Sequence, residues 1–543
     1  MYRRFFFTSL SLLLFLGLVT ISVRELRTDR TINVIVITGE SLRDELVNPQ
    51  TMPRLMEHAV RGYRFYKHRA ISGWTGTNIV SLLSGLSPFD TGVHTRGQSL
   101  NPDQFTPLEQ LAIAGYQVEG LQGFMSMDIY KNLGLTIDTT YHDLRYALAL
   151  RKQQRKPFFT WYHYVHTHLP YGTEDTVLPD FEGKGQQDSL RQRRLELVQT
   201  KASILHDQAT YTSEDIPAVR KLQEASIEKF DKWLDELFIF LQKSGLDQNS
   251  IVILTADHGD EHGERGMVGH ASTTLRGHLH EEIVHVPLLI WLPPSITDKV
   301  AQHNSMKSTD HRDLLVTIFE LLGLSPEMEL EGVSVFSQDS NTWTAMTSSG
   351  GFSEPEPSAI RFFEYGTIDG PWKLLSRHDQ ADGKINNRLY HLEDDPSEQN
   401  DLSTLHPEIV ERLVKRLEPL ISRQIIRPVA GNYLQTDTEF SGDAPPRWLF
   451  PERSGTFSYN QLAPNFELRW SGPEKAPYVI EYSATIDDSP INGFLETDEN
   501  RKDFGKISRL YWNTWIVKYQ MVKIRVKQQD GPWSDWLQLE PVE

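Results

Sequence analysis

The sequence predicts an α/β domain built on a doubly wound, mainly parallel sheet, then a small α+β subdomain, then an all-β sandwich. Three observations lead there. Short β-branched runs alternate with amphipathic helical stretches between residues 33 and 292, the pattern of strands buried on both faces and covered by helices. After residue 359 the runs shorten and close on a helix. Beyond residue 460, short alternating segments recur between turn signals at sandwich-like spacing. The 543 residues, 39% hydrophobic and 24% charged, suffice for several folded domains.

Each element follows in order. Residues 5–23 are almost wholly apolar and come after Arg3 and Arg4, close to the roughly 20 residues that a helix needs to cross a bilayer. An uncleaved anchor suits this run better than a cleavable signal, whose apolar core is shorter. Residues 1–31 are therefore set apart, and the body is expected outside the cytoplasm, periplasmic or at the cell surface. From Asn33 the chain reads NVIVIT, a buried strand, and runs of the same kind occupy 251–254 and 286–292. Between them, Leu222, Ile227, Phe230, Leu234 and Leu237 recur at helical spacing over 218–243. Polar stretches at 182–192 and 342–358 read as an excursion and a connector. The expected boundaries are 32–425 for the catalytic body, 426–460 for a linker and 461–543 for the sandwich. Six of twelve tryptophans lie after residue 440; they either fill the sandwich core or form an aromatic, glycan-binding face.

Composition narrows the function. A formal charge of −18 argues against a duplex-binding protein, because neutralising phosphates needs a basic surface. Cysteine is absent, which excludes disulfides, thiolate metal sites and a Cys nucleophile.

Ligand-type residues sit where strands end. Glu40 follows the first strand, in the position where doubly wound sheets place ligands; alone, it could equally cap a helix. Asp257 and His258 follow the strand 251–254 and offer an oxygen and an imidazole to one cation. Six histidines crowd into 258–285. Thr75 lies just before a short helix over 77–84 that Gly85 stops, a spot receptive to phosphate or sulfate. Its hydroxyl is a weak nucleophile that a divalent cation can activate, or else an ordinary N-cap.

The stretches NVIVITGESLRDEL, GWTGTNIVSLLSGLSPFDTGVH, HYVHTHLPY, VILTADHGDEHGERGMVGHA and EEIVHVPLLIWLP, in this order, resemble the sulfatase-like branch of the alkaline phosphatase superfamily. The segment around 389–402 is similar to that family's C-terminal subdomain, so the resemblance covers about residues 32–420; the terminal sandwich is similar to fibronectin type III modules on strand pattern alone. The resemblance implies an alkaline phosphatase-like fold and a site holding a divalent ion (Zn, Mn, Mg or Ca) on Glu40, Thr75, Asp257 and His258. It also implies that Asn78, His168 and His270 contact the transferred group. One departure matters. Sulfatases carry Cys or Ser, matured to formylglycine, in a C/S-x-P-S-R motif; here Thr75 holds that place and Ile79 stands where the Arg should be. The pattern looks like phosphoethanolamine transferases, lipoteichoic acid synthases and nucleotide phosphodiesterases. The expected activity is thus metal-dependent phosphoryl transfer or phosphodiester hydrolysis on envelope lipid headgroups or glycans, through a phospho-threonine. A sulfuric ester hydrolase is the alternative, and an inactive binding or scaffold protein the third reading. No nucleic-acid partner is expected. His166 and His278 read as loop or core residues, and Arg43 as structural.

Overall fold

The computed structural model describes residues 32–427 and 446–542, with gaps of which 172–215, 351–359, 459–466 and 504–521 are the longest. The segment 5–23, the excursion 182–192 and the run 507–512 lie outside the described residues. Among the described residues no helix is long and apolar enough to cross a membrane.

A seven-stranded sheet organises the first body. Its strands are β1 (Asn33–Gly39), β2 (Tyr63–Arg64), β3 (Gln117–Gln122), β4 (Thr136–Ile137), β5 (Phe158–Tyr164), β6 (Ser250–Ala256) and β7 (Leu288–Trp291). They lie in the order β2-β7-β6-β1-β5-β3-β4. β1 is central and parallel to both neighbours, with Thr38 opposite His163 on one side and Thr255 on the other. β7 departs from the expected pattern: it runs antiparallel to β6.

The continuous apolar run of β1 serves two cores at once. Val34 and Val36 face Ile79, Leu83 and Trp161, whereas Ile35 and Ile37 face Phe230, Leu234 and Leu237. All of these are buried, and each such side chain contributes about 1.5–3 kcal/mol of burial free energy. The partner on the second face is the long helix Ile216–Ser244, which matches the predicted helical stretch.

The first face is covered partly by α1 (Thr75–Ser84), stopped by Gly85 at φ 71°, where only glycine reaches the left-handed region without strain. α1 starts two residues earlier than the sequence suggests, and that shift decides how Thr75 is used.

The second body is a four-stranded antiparallel sheet, β8 (Trp343–Gly350), β9 (Phe362–Asp369), β10 (Trp372–Asp379) and β11 (Ile385–His391), backed by the helix Pro407–Arg423. β8 corrects the connector expected at 342–358. Its Thr and Ser residues are buried because the strand packs against the loop ahead of α1: the Thr347 N–H donates to the Ile71 carbonyl at 3.0 Å. A buried ionic cluster joins the two bodies. Lys373 Nζ lies 2.8 Å from Glu281 and 3.0 Å from Glu398, and Arg69 lies 2.8 Å from Glu281.

The third body is a sandwich of a three-stranded and a five-stranded sheet around Leu468, Trp470, Tyr478, Ile480, Ile524, Val526 and Leu537. Strands at Trp448–Phe450 and Gly455–Ser458 fall inside the stretch read as linker, so the sandwich begins earlier than expected. They were hidden because each is short and gains its partner only at long range, Trp448 opposite Trp470.

Candidate active site

The carboxyl ends of β1, β5 and β6 deliver the site. Glu40 leaves β1, His163 ends β5, and Asp257 and His258 leave β6; all four are fully buried. Parallel register alone aligns these ends, since Gly39 pairs with both Tyr164 and Ala256.

Thr75 is the first residue of α1, and Trp74 takes the cap position with no side-chain hydrogen bond. The N-cap reading of Thr75 is therefore overturned, because its hydroxyl points elsewhere. Thr75 Oγ1 donates to Glu40 Oε1 at 3.1 Å and lies 3.0 Å from His258 Nε2. The first intrahelical bond at this end runs from Asn78 N to Trp74 O. The amides before it lie outside the helix's own hydrogen bonding, and the helix dipole favours an anion beside them.

Asn78 has a different task from the one expected. Its Oδ1 accepts from the amides of Ile71 and Ser72 at 3.1 and 3.0 Å, and its Nδ2 donates to the Ser72 carbonyl at 2.7 Å. The side chain thus holds the loop that leads into Thr75.

The imidazole of His258 is fixed by its far nitrogen. Nδ1 lies 2.7 Å from the Gly259 carbonyl, so it carries a proton, and in the neutral ring Nε2 presents a lone pair. Gly259 must be glycine: a Cβ there would meet the Glu282 carbonyl at 2.0 Å. His163 Nε2 lies 2.5 Å from Glu40 Oε2, while its Nδ1 is 2.7 Å from Thr38 Oγ1. Sequence reading missed His163, which sits in the aromatic run FFTWYHY; only the pairing of β5 with β1 brings it to Glu40.

Electrostatically the centre is incomplete. Burial, and then the nearby Asp257 carboxylate, raise the Glu40 pKa well above its ordinary value. Burial also pushes Asp257 upward, but the facing His258 and His163 outweigh it and hold Asp257 low. Asp257 Oδ1 accepts from the amides of Ser41 and His258, each at 2.9 Å, while Oδ2 is buried without a hydrogen-bond partner. Among the described residues no Lys or Arg pairs with either carboxylate. A divalent cation fits such a donor set. Glu40, His258 and His270, and likewise Glu40, His163 and Asp257, bring ligand atoms within 4.8 Å of one another.

A second layer carries His270. Its Nδ1 is 2.8 Å from Asp260 Oδ1, and its ring centroid lies 4.1 Å from that of His258. Asp260 Oδ2 accepts from the Tyr171 hydroxyl at 2.6 Å, and His262 Nε2 is 3.1 Å from that hydroxyl. The His168 ring stands edge-on to His270 at 5.1 Å. The structure thus brings Glu40, Thr75, Asp257, His258, His270 and His168 into one place. Asp260 and Tyr171 were not singled out by sequence; Asp260 holds His270 and is itself held by Tyr171.

His166 is exposed and packs on Tyr164, and His278 lies 3.1 Å from Glu261, as loop and core roles require. Arg43 is bound by Glu45, Glu264 and the Asp260 carbonyl, a structural role.

The chain is similar to known proteins in sequence and in fold. The family model described as Sulfatase matches residues 32–324. Arylsulfatase K of Mus musculus is 24% identical over 294 residues, 52% of this chain and 48% of that protein. The Δ4,5-hexuronate-2-O-sulfatase of Bacteroides thetaiotaomicron is 29% identical over 104 residues, 19% of this chain and 20% of that one. The chain thus spans about half or less of the length of these relatives. Among solved structures, the phosphonate monoester hydrolase of Silicibacter pomeroyi superimposes with a TM-score of 0.55 at 15% identity, covering 74% of this chain and 97% of that one. The fold is therefore alkaline phosphatase-like, with antiparallel sheets added after it.

Proposed function

The chain belongs to the sulfatase family, and from that premise we propose that it hydrolyses sulfate esters at Thr75, with a divalent ion held by Glu40, Asp257 and His258. The observation that carries the proposal is the Thr75 hydroxyl between Glu40 and His258, 3.1 and 3.0 Å away, at the N-terminus of α1. The sulfate reading comes ahead of the phosphoryl transfer that the motif departures suggested, because the matching family and the curated relatives are sulfatases by name.

Bound there, the ion supplies positive charge that makes the hydroxyl acidic and offsets the charge of the anionic ester. The mixed oxygen and nitrogen donors suit Zn or Mn. The rest falls to the chain. The N-terminus of α1 binds the ester's non-bridging oxygens. Thr75 Oγ attacks sulfur in line, its proton passing to the adjacent Glu40 carboxylate. The bond from sulfur to the ester oxygen breaks, and that oxygen leaves with the electron pair and a proton from His270, which Asp260 orients. His168, beside His270, faces the anionic substrate. Water then attacks sulfur, giving a proton to the now neutral His270, and the bond from sulfur to Thr75 Oγ breaks as Glu40 returns its proton to that oxygen, which releases sulfate and restores the hydroxyl.

Phosphodiester hydrolysis or phosphoryl transfer through phospho-Thr75 is the second reading. Two observations favour it: Thr75 cannot become formylglycine, and Ile79, a core residue, replaces the motif Arg. The substrate on either reading is a glycan or lipid headgroup of the cell envelope. The apolar run 5–23 of the sequence supports a catalytic body outside the cytoplasm, tethered to the membrane through that run.

The deciding experiment assays the full chain, loaded with Mn or Zn, on p-nitrophenyl sulfate and bis-p-nitrophenyl phosphate side by side. Faster sulfate turnover is expected. Faster phosphodiester turnover would install the second reading, and turnover of neither, by a protein that binds the ion, would leave the inactive scaffold.

A further inference from the structure

The outer face of the sandwich carries a feature at odds with the rest of this acidic chain. In the strand Val522–Gln528, Ile524 and Val526 are buried, so alternation puts Lys523, Arg525 and Lys527 on the opposite face, about 7 Å apart. The neighbouring strand Lys475–Ile486 places Ser483, Glu481 and Val479 directly opposite these three. Glu481, 2.5 Å from Arg525, offsets one of the three positive charges. The lysines at either end have no acid opposite them in that strand.

Aromatic rings frame this row. The Arg525 guanidinium lies 4.5 Å from the ring centres of both Trp533 and Trp536, and Lys527 Nζ is 5.2 Å from that of Trp533. Phe494, 36% exposed, stands 6.5 Å from Trp533. The segment that carries the two tryptophans is pinned in place. The Ser534 N–H donates to the Val526 carbonyl at 2.8 Å, and the Ser534 hydroxyl accepts from the Val526 N–H at 3.0 Å. These rings take no part in the sandwich core, which uses Trp448 and Trp470 instead. Of the late tryptophans, Trp448 and Trp470 thus pack in the core, whereas Trp533 and Trp536 lie on the outer face.

We propose that this face binds a sulfated polysaccharide, with Lys523 and Lys527 taking sulfate groups and Trp533, Trp536 and Phe494 lying against sugar rings. Charge complementarity selects the occupant. In a chain of net charge −18, a row of alternating cations beside aromatic rings attracts a polymer that repeats negative charge along an apolar-faced backbone. The inference rests on the sulfate-ester reading for its substrate class, and assigns the sandwich the task of holding the polymer whose esters Thr75 cleaves.

Affinity electrophoresis of the full chain through gels containing dextran sulfate or uncharged dextran tests it. Retardation by dextran sulfate alone is expected, weakening with salt as counterions are released. The double variant Lys523→Gln/Lys527→Gln should weaken it by about tenfold, and Trp536→Phe, which keeps a ring, by less. Turnover of p-nitrophenyl sulfate should be unchanged in both, so that a failed binding face is told apart from a failed active site. No retardation, or equal retardation of the lysine variant, overturns the proposal. Stronger binding to vesicles of anionic phospholipid than to dextran sulfate, lost in the same variant, overturns it in favour of a membrane surface.

Discussion

Two buried carboxylate clusters lie on the same chain, and they differ in how their charge is met. Glu281 and Glu398, between the first and second bodies, are bridged by Lys373, with Arg69 on the far side of Glu281. Burial pushes the Glu281 carboxyl up, yet Arg69 and Lys373 hold it well below its ordinary value of 4.5. Glu40 and Asp257 are equally buried but are met by imidazoles, hydroxyls and backbone amides rather than by Lys or Arg, and Glu40 is pushed well above that value. Isolating a charge from water costs several kcal/mol unless it is compensated. The first cluster is compensated from within and is structural. The second is left open, with no Lys or Arg beside it among the described residues and only the His258 imidazole 3.2 Å from Asp257 Oδ2, and a divalent ion would complete it.

The sharpest way to break this contrast is at the hydroxyl inside the open cluster. Thr75→Ala removes the attacking oxygen without touching either carboxylate, and should lower kcat by about a thousandfold or more, with Tm and ion binding retained. Thr75→Ser should recover part of the rate. If Thr75→Ala turns over at the parental rate, the open cluster is not a catalytic centre.

Lys373→Met converts the closed cluster into an open one. It leaves Glu281 with Arg69 and Glu398 with the His280 imidazole and one backbone amide, and should cost about 3–5 kcal/mol, as when one partner of a buried pair is lost. Thermal or urea unfolding reads this directly. A loss below about 1 kcal/mol would mean that water already reaches the cluster.

Each cluster also holds one carboxyl raised in the fold and one lowered, Glu40 with Asp257 and Glu398 with Glu281. A carboxyl raised in the fold, such as Glu40, binds its proton more tightly folded than unfolded. It therefore stabilises at low pH, and that stability drains away as pH rises above about 4.5. A carboxyl lowered in the fold, such as Glu281, stabilises above that value and loses its contribution as pH falls through it. Chelator-treated protein should thus show a component of stability that declines as pH rises above about 4.5 and that added Mn or Zn removes. At a hundredfold excess over Kd the ion should add about 2.7 kcal/mol. An unfolding curve insensitive to both chelator and ion would remove the ion from the open cluster.

How much of this was legible depended on range. Glu40, Thr75, Asp257 and His258 stand next to apolar runs that announce themselves, and strand ends are where such sheets gather ligands. His163 is invisible by that rule, because it becomes a partner of Glu40 only through the register of β5 with β1. Asn78 was legible as a polar residue near the site, but not as the clamp on the loop 71–72. The Lys373 cluster joins residues 69, 281, 373 and 398, whose sequence separations carry no local signal. β8 failed for the converse reason: its Thr and Ser residues look like a connector, yet they are buried by a loop nearly 280 residues earlier in the chain.

Asp260 belongs to neither cluster, and it gives the smallest and most discriminating test. It is buried, and burial raises its carboxyl above the ordinary range while His262 and the Tyr171 hydroxyl pull the other way. Its Oδ1 faces His270 and its Oδ2 faces Tyr171, so it positions His270 without touching substrate. Asp260→Asn keeps the shape but offers His270 an amide in place of a carboxylate. A loss of about 10–100-fold in kcat is expected, the usual effect of a supporting partner, with ion affinity nearly unchanged. The pH profile of kcat should also move, because the ring's basicity depends on the carboxylate behind it. A purely structural Asp260 would instead lower Tm and leave the profile of the surviving activity where it was. Tyr171→Phe, which removes one hydrogen bond from the same carboxylate, should reproduce the shift at a smaller amplitude.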